Sequence, residues 1–282
     1  MTAIDRIPWI ALLLLLLSGC SLINVAYNNA DTAVYWFVDD YLDFNPDQRG
    51  QFDQGLRRLH AWHRRVELPK YAGLCTVAAG RVEARLKPAD LDWLEGALRA
   101  RYVALMNFSA SDLAAVLVTV EPSQLIILDA KFAKTNEKFS EEHLSGTPAA
   151  REKKRVKEAL ERIVDWIGDL EPEQETRVVS MLKALPQMAE HRYAQRLARQ
   201  KALREMLAAR LTKDRLEPAL KDWLINWESG RTAEHQRIWA LWLRQNRQIM
   251  LELDAMLTPQ QRAHLVHKLL DYAENFNRLH QG

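Results

Sequence analysis

Apolar residues beyond position 20 recur at helical spacing. Leu91, Leu94, Leu98, Tyr102 and Leu105 step by 3 and 4, and so do Leu265, Leu269, Tyr272, Phe276 and Leu279. Trp239, Trp242, Ile249, Leu253 and Met256 form a third stripe once Asn246 is admitted to it. Period-2 alternation is absent, and ten glycines are too few for many tight strand turns. The pattern predicts an all-α protein.

The polar positions between the stripes repeat a second pattern. An apolar residue, a polar residue, proline and a polar pair ending in glutamine occur as Phe44-Asn45-Pro46-Asp47-Gln48, Val120-Glu121-Pro122-Ser123-Gln124, Leu170-Glu171-Pro172-Glu173-Gln174 and Leu257-Thr258-Pro259-Gln260-Gln261. Looser forms stand at Leu86-Lys87-Pro88-Ala89-Asp90 and Leu211-Thr212-Lys213-Asp214-Arg215. Each reads as a helix N-terminus. Asn45 or Thr258 accepts from free N–H groups, proline suits the first helical position, and the glutamine reaches back in a capping box. Glu121 and Glu171 are poorer caps, so those starts lean on proline and on carboxylates near the helix dipole.

The leading apolar residues are spaced by 42, 34, 50, 41 and 46 residues. Intervals near 40 predict antiparallel hairpins of helix, turn and returning helix. Ser145-Gly146-Thr147-Pro148 carries the clearest break, since Gly146 can end one helix and Thr147-Pro148 can start another. It divides the chain into helical halves 20–146 and 147–282. Asp92-Trp93-Leu94 and Asp222-Trp223-Leu224 lie 130 residues apart, close to the 126 between Pro46 and Pro172, which suggests a tandem duplication.

The N-terminus changes the picture. A polar start with Arg6 is followed by an apolar core, Ile7 to Leu17, and then Leu17-Ser18-Gly19-Cys20. A bilayer core of roughly 30 Å needs about 20 apolar residues. The core is therefore too short to span and reads as the h-region of a signal peptide over 1–19. The Leu-Ser-Gly-Cys string resembles the lipobox cut by the lipoprotein signal peptidase. That resemblance implies an acylated Cys20, carrying palmitate-type chains, as the new N-terminus. Two or more acyl chains hold a protein stably on a membrane. Ser21 stands where aspartate would signal inner-membrane retention, so the same resemblance implies the outer membrane, with the body facing the periplasm.

Composition and charge narrow the class further. Cys75 is the one other cysteine, so the exported chain rests on its core rather than on an internal disulfide. Net charge is +2, too small to argue for nucleic acid. Residues 20–146 carry 14 basic and 17 acidic groups and residues 147–282 carry 24 and 19, a mildly basic second half.

Candidate chemistry is sparse. His60 with His63 and His264 with His267 are i, i+3 pairs, each able to supply half of a zinc or copper site or to sit as solvated face residues. Glu228-Ser229 resembles the Glu-Ser pair of lytic transglycosylases, but the Gly-Leu-Met-Gln segment of that family is missing here. No residue is assigned as catalytic and no cofactor is implied. Arg192, Arg196 and Arg199, with Arg204 and Arg210 beyond, form a basic stripe that can face anionic lipid, acidic partners or plain solvent. Tyr27, Tyr35, Trp36, Phe37 and Tyr41 crowd the chain beyond Cys20 with no Gly/Ser tether, and can pack at the membrane interface or in the core. Asp39, Asp40 and Asp43 either bind a cation or point to water.

Leu257-Thr258-x-x-Gln261 resembles the LTxxQ motif of the periplasmic Spy and CpxP proteins, all-α cradles linked to envelope stress and to holding unfolded proteins; Leu211-Thr212-x-x-Arg215 fits it in part. The lipobox, the Tyr35-Trp36 segment, Asp39-Asp40-Tyr41 and the Gln48 helix start together look like an uncharacterised proteobacterial lipoprotein family, a domain of unknown function. That resemblance covers nearly the full mature chain and supplies no activity; the leading expectation is a membrane-anchored, non-enzymatic helical scaffold that binds protein partners or clients. A peptidoglycan-acting enzyme and a metal-binding protein are the alternatives.

Overall fold

A computed structural model describes residues 20–282, with side chains from Asn24 onward. The signal peptide expected over 1–19 and the side chain of Cys20 lie outside the described residues. Every regular element among those described is helical. The helices are α1 (Cys20–Asn28), α2 (Ala30–Leu42), α3 (Pro46–Trp62), α4 (Leu68–Glu83), α5 (Pro88–Leu117), α6 (Pro122–His143), α7 (Pro148–Ile167), α8 (Pro172–Ala184), α9 (Ala189–Ala208), α10 (Lys213–Ile225), α11 (Ala233–Met256) and α12 (Pro259–Gln281).

The expected helix starts fall at α3, α5, α6, α8, α10 and α12. Asn45 Oδ1 accepts from the Gln48 N–H at 3.0 Å while Gln48 Oε1 accepts from the Asn45 N–H at 3.1 Å. Thr258 and Gln261 repeat the exchange at 3.2 and 3.0 Å. Where glutamate stands in the cap position, the glutamine still reaches back, to the N–H of Glu121 and of Glu171 at 2.9 Å each.

The hairpin expectation does not hold for the first two intervals. The chain runs helically from Pro46 to Glu83 through a π-turn at His63–Glu67, and α5 is a single helix of 30 residues. Pro69 supplies the reason for the π-turn. Inside an α-helix proline has no N–H to give and its ring crowds the carbonyl four residues back. Widening the preceding turn, with the Leu68 N–H bonded to the carbonyl of His63, lets the helix continue past it.

The fold divides into two compact units. The first comprises the described residues up to Leu68 with Arg99–Glu142 and Arg192–Arg231. Its core gathers Tyr41, Phe44, Phe52 and Leu56 with Val116, Val120, Leu125, Leu128, Phe132 and Leu207. The second comprises Pro69–Leu98, His143–His191 and Thr232–Gly282, and its core includes Val156, Val178, Leu182, Leu185 and Ile249. Burying side chains of this size is worth about 1.5–3 kcal/mol each.

Each unit contains the same arrangement of glutamines. In the first, Gln48 and Gln124 donate their amides to each other's Oε1 at 3.0 and 2.8 Å, and also to the carbonyls of Thr119 and Leu42. In the second, Gln174 and Gln261 exchange bonds at 3.0 and 2.8 Å and donate to the carbonyls of Met256 and Asp169. Each glutamine thus caps its own helix and also satisfies the chain leading into its partner's. The two Asp-Trp-Leu segments match in one further respect: Arg81 lies 4.2 Å over the Trp93 ring and Arg199 lies 4.2 Å over the Trp223 ring.

Candidate functional site

A cluster of polar and aromatic side chains in the first unit surrounds Tyr27 on α1. Its ring centroid lies 4.8 Å from that of His60 and 5.7 Å from that of His63. The Tyr27 hydroxyl shares a 3.0 Å hydrogen bond with Nδ1 of His63, and His60 Nε2 donates to the Tyr27 carbonyl at 3.2 Å. Arg64 lies over the same ring at 5.3 Å and donates to Asn28 Oδ1 at 2.5 Å. The i, i+3 spacing of the histidines therefore positions both imidazoles to hold α1.

The π-turn sets what lies beneath. It turns Glu67 and Leu68 inward, each 1% exposed, and the Glu67 carboxylate accepts from Arg101 of α5 at 3.1 and 3.3 Å. One turn earlier, Trp62 stacks on Phe108 of α5 at 4.4 Å. Burial pushes the His63 imidazole down to about 4, only partly offset by the Glu67 carboxylate. His60 moves in the same direction, chiefly by burial and then by the Arg64 charge. Neutral imidazoles are thus built into the seat of α1.

The first unit also contains a notch of about 150 Å³ whose accessible lining mixes polar and apolar atoms. Leu117, Val118, Val120, Met206, Leu211 and Leu216 line it, with Glu121 and Arg210 adding one charge of each sign. Val118 is itself exposed, and Ile126, in the first turns of α6, is 70% exposed.

The remaining sequence candidates do not converge on these places. His264 and His267 are exposed, and His267 pairs with Asp271 at 3.0 Å. Glu228 is exposed in the turn after α10, ahead of Gly230 at φ 83°. Among the described residues no group of three His, Cys, Asp or Glu side chains is placed to hold a metal ion. Asp39 and Asp43 both face Arg49, at 3.4 and 3.5 Å, while Asp40 pairs with Lys131. Cys75 is half-buried, and burial pushes its thiol up to about 11.

The arginine stripe divides: Arg192 and Arg210 are exposed, while Arg196, Arg199 and Arg204 are engaged within the first unit. Arg196 is 2% exposed, donates to Asn136 at 2.6 Å and lies over Phe139. Arg199 donates to the Trp223 carbonyl at 2.9 Å, and Arg204 pairs with Asp129 at 3.0 Å. Arginine's planar, weakly hydrated head suits such stacked positions, so the middle of this basic stripe is packed while its two ends face outward. The π-turn and its buried Glu67 were missed from sequence, although Pro69 within a helical run was a usable signal.

A family described as of unknown function, DUF6279, matches residues 40–237. No curated protein and no solved structure matches the chain.

Proposed function

The chain belongs to the family of unknown function DUF6279, and we propose that this protein is a lipid-anchored, non-enzymatic helical scaffold that holds a protein partner or client at the periplasmic face of the outer membrane. The anchoring half of this reading is supported by the lipobox at Leu17-Ser18-Gly19-Cys20 and by Ser21 after it. No helix among the described residues is long and apolar enough to cross a membrane.

The observation that carries the binding half is the notch bounded by Glu121 and Arg210. Its volume of about 150 Å³ suits one side chain of a partner, held between apolar walls and the polar groups of Thr119, Glu121 and Arg210. The flanking charges give the peptide around that side chain an orientation without demanding a particular sequence. Val118, which lines the notch, is itself exposed, and Ile126 is a second exposed apolar residue of the same unit.

Purified protein at equimolar ratio is expected to suppress light scattering from a chemically denatured client diluted into buffer. Val118→Asp with Ile126→Asp, both at exposed positions, should abolish the suppression while leaving the far-UV dichroism unchanged. Failure of the native protein to suppress scattering, or full activity in the double variant, would remove the holding role.

A further inference from the structure

We propose that the outward stripe of α1 and α2 lies on the headgroup region of the membrane carrying the Cys20 anchor, with Trp36 as its interfacial residue. The proposal rests on the reading of Cys20 as acylated and adds to it an orientation of the helices that follow.

The stripe is continuous in register. Asn29 interrupts the helix at φ −108°, yet its N–H bonds to the Val25 carbonyl at 3.2 Å and its carbonyl accepts from Ala33 at 3.0 Å. The i to i−4 ladder therefore passes through the bend. Val25, Asn29, Ala33, Trp36 and Asp40 follow at steps of 4, 4, 3 and 4, and all five are exposed. Trp36 is 66% exposed and Val25 59%. The opposite side is occupied: Tyr27 meets the histidines, while Tyr35, Phe37 and Tyr41 belong to or pack on the first unit's core.

Three arguments select a bilayer as what covers this stripe. The first is reach. α1 begins at Cys20, and the sixteen residues from there to Trp36 span at most about 24 Å at the helical rise of about 1.5 Å per residue. A face so close to inserted acyl chains meets the interface at high effective concentration, so a weak preference is enough. The second is residue type. An indole sets an apolar ring with a single N–H donor at the depth where hydrocarbon gives way to headgroups, which is where tryptophan concentrates in membrane proteins. The third is charge. The exposed residues between positions 24 and 42 are uncharged apart from Asp40, and that carboxylate pairs with Lys131. Nothing in the stripe repels a phospholipid surface, and nothing in it requires anionic lipid.

Full-length protein processed in cells, reconstituted into phosphatidylcholine vesicles with brominated acyl chains, tests this by tryptophan quenching. Mass spectrometry of the Cys20 peptide is run on the same sample. The expected result is an acylated Cys20, measurable quenching in the native protein, and loss of most of it in Trp36→Phe, unaffected by added salt. An acylated Cys20 with equal quenching in both proteins overturns the orientation and leaves the anchor standing. An unmodified Cys20 overturns both. Native protein that self-associates in detergent, with Trp36→Phe monomeric and neither quenched in vesicles, would give the stripe to a second copy of the chain.

Discussion

His63 sits where a proton is unwelcome: against Tyr27, beside His60, within a π-turn whose next inward residue is Glu67. Its pKa is pushed down from 6.5 to about 4. Between those values the unfolded chain takes up a proton that the folded one refuses, so stability rises with pH across that window. It falls as pH drops from 6.5 and levels off below 4. At about 1.36 kcal/mol for each pH unit, the gap amounts to roughly 3 kcal/mol as an upper figure. Urea midpoints of the native protein and of His63→Phe, measured from pH 7.5 to 4, should therefore diverge, with the variant losing less stability on acidification. Parallel curves would mean that the imidazole is not held neutral. The i, i+3 spacing of His60 and His63 was legible in the sequence. Their partner was not, because Tyr27 lies 36 residues from His63 and only the return of α1 across α3 brings it there.

Helix starts were the most legible elements, because a capping box is a contact among residues three apart and needs no tertiary information. What the same glutamines do beyond the cap is long-range. Gln48 meets Gln124 across 76 residues and Gln174 meets Gln261 across 87, so the pairing emerges only once the helices are packed. Spacing also misled where a helix ran on. The interval read as helix, turn and helix between Leu86 and Val120 is occupied by α5 alone. Two glycines of α3 separate local from packed effects. A Cβ at Gly55 would lie 3.0 Å from the Asp112 Cβ of α5, beside the Arg58–Asp112 pair, whereas one at Gly50 would meet nothing within 4 Å. Gly55→Ala should destabilise the protein by about 1–3 kcal/mol through overpacking. Gly50→Ala should stabilise it by about 0.4–1 kcal/mol through the helix preference of alanine. Thermal unfolding midpoints moving in the same direction for both would contradict the close approach of α3 and α5.

Each compact unit takes residues from both sides of Gly146. In the first, Leu207 completes a core otherwise drawn from positions below 133, while Arg196 and Gln200 satisfy Asn136. In the second, Asp254 accepts from the Leu86 N–H at 3.0 Å, Arg262 donates to the Val82 carbonyl, and Arg247 pairs with Asp92 and Glu95. A chain divided at the Ser145-Gly146-Thr147 turn would take Leu207 from the first core, separate Pro69–Leu98 from the rest of the second unit and Arg192–Arg231 from the rest of the first, and leave buried polar groups without their partners, at about 1–3 kcal/mol for each such group. Residues 20–146 and 147–282 made separately should therefore show no cooperative unfolding transition, and mixing them should restore one together with near-native dichroism. A fragment 20–146 that melts alone at the full chain's midpoint would show that the interleaving contributes nothing. The same exchange of segments bears on anchoring, since the lipid expected at Cys20 belongs to the first fragment alone. A protease nick at Gly146 in membrane-bound protein should release neither piece until denaturant is added, because the second fragment is held by the packed segments that complete both units.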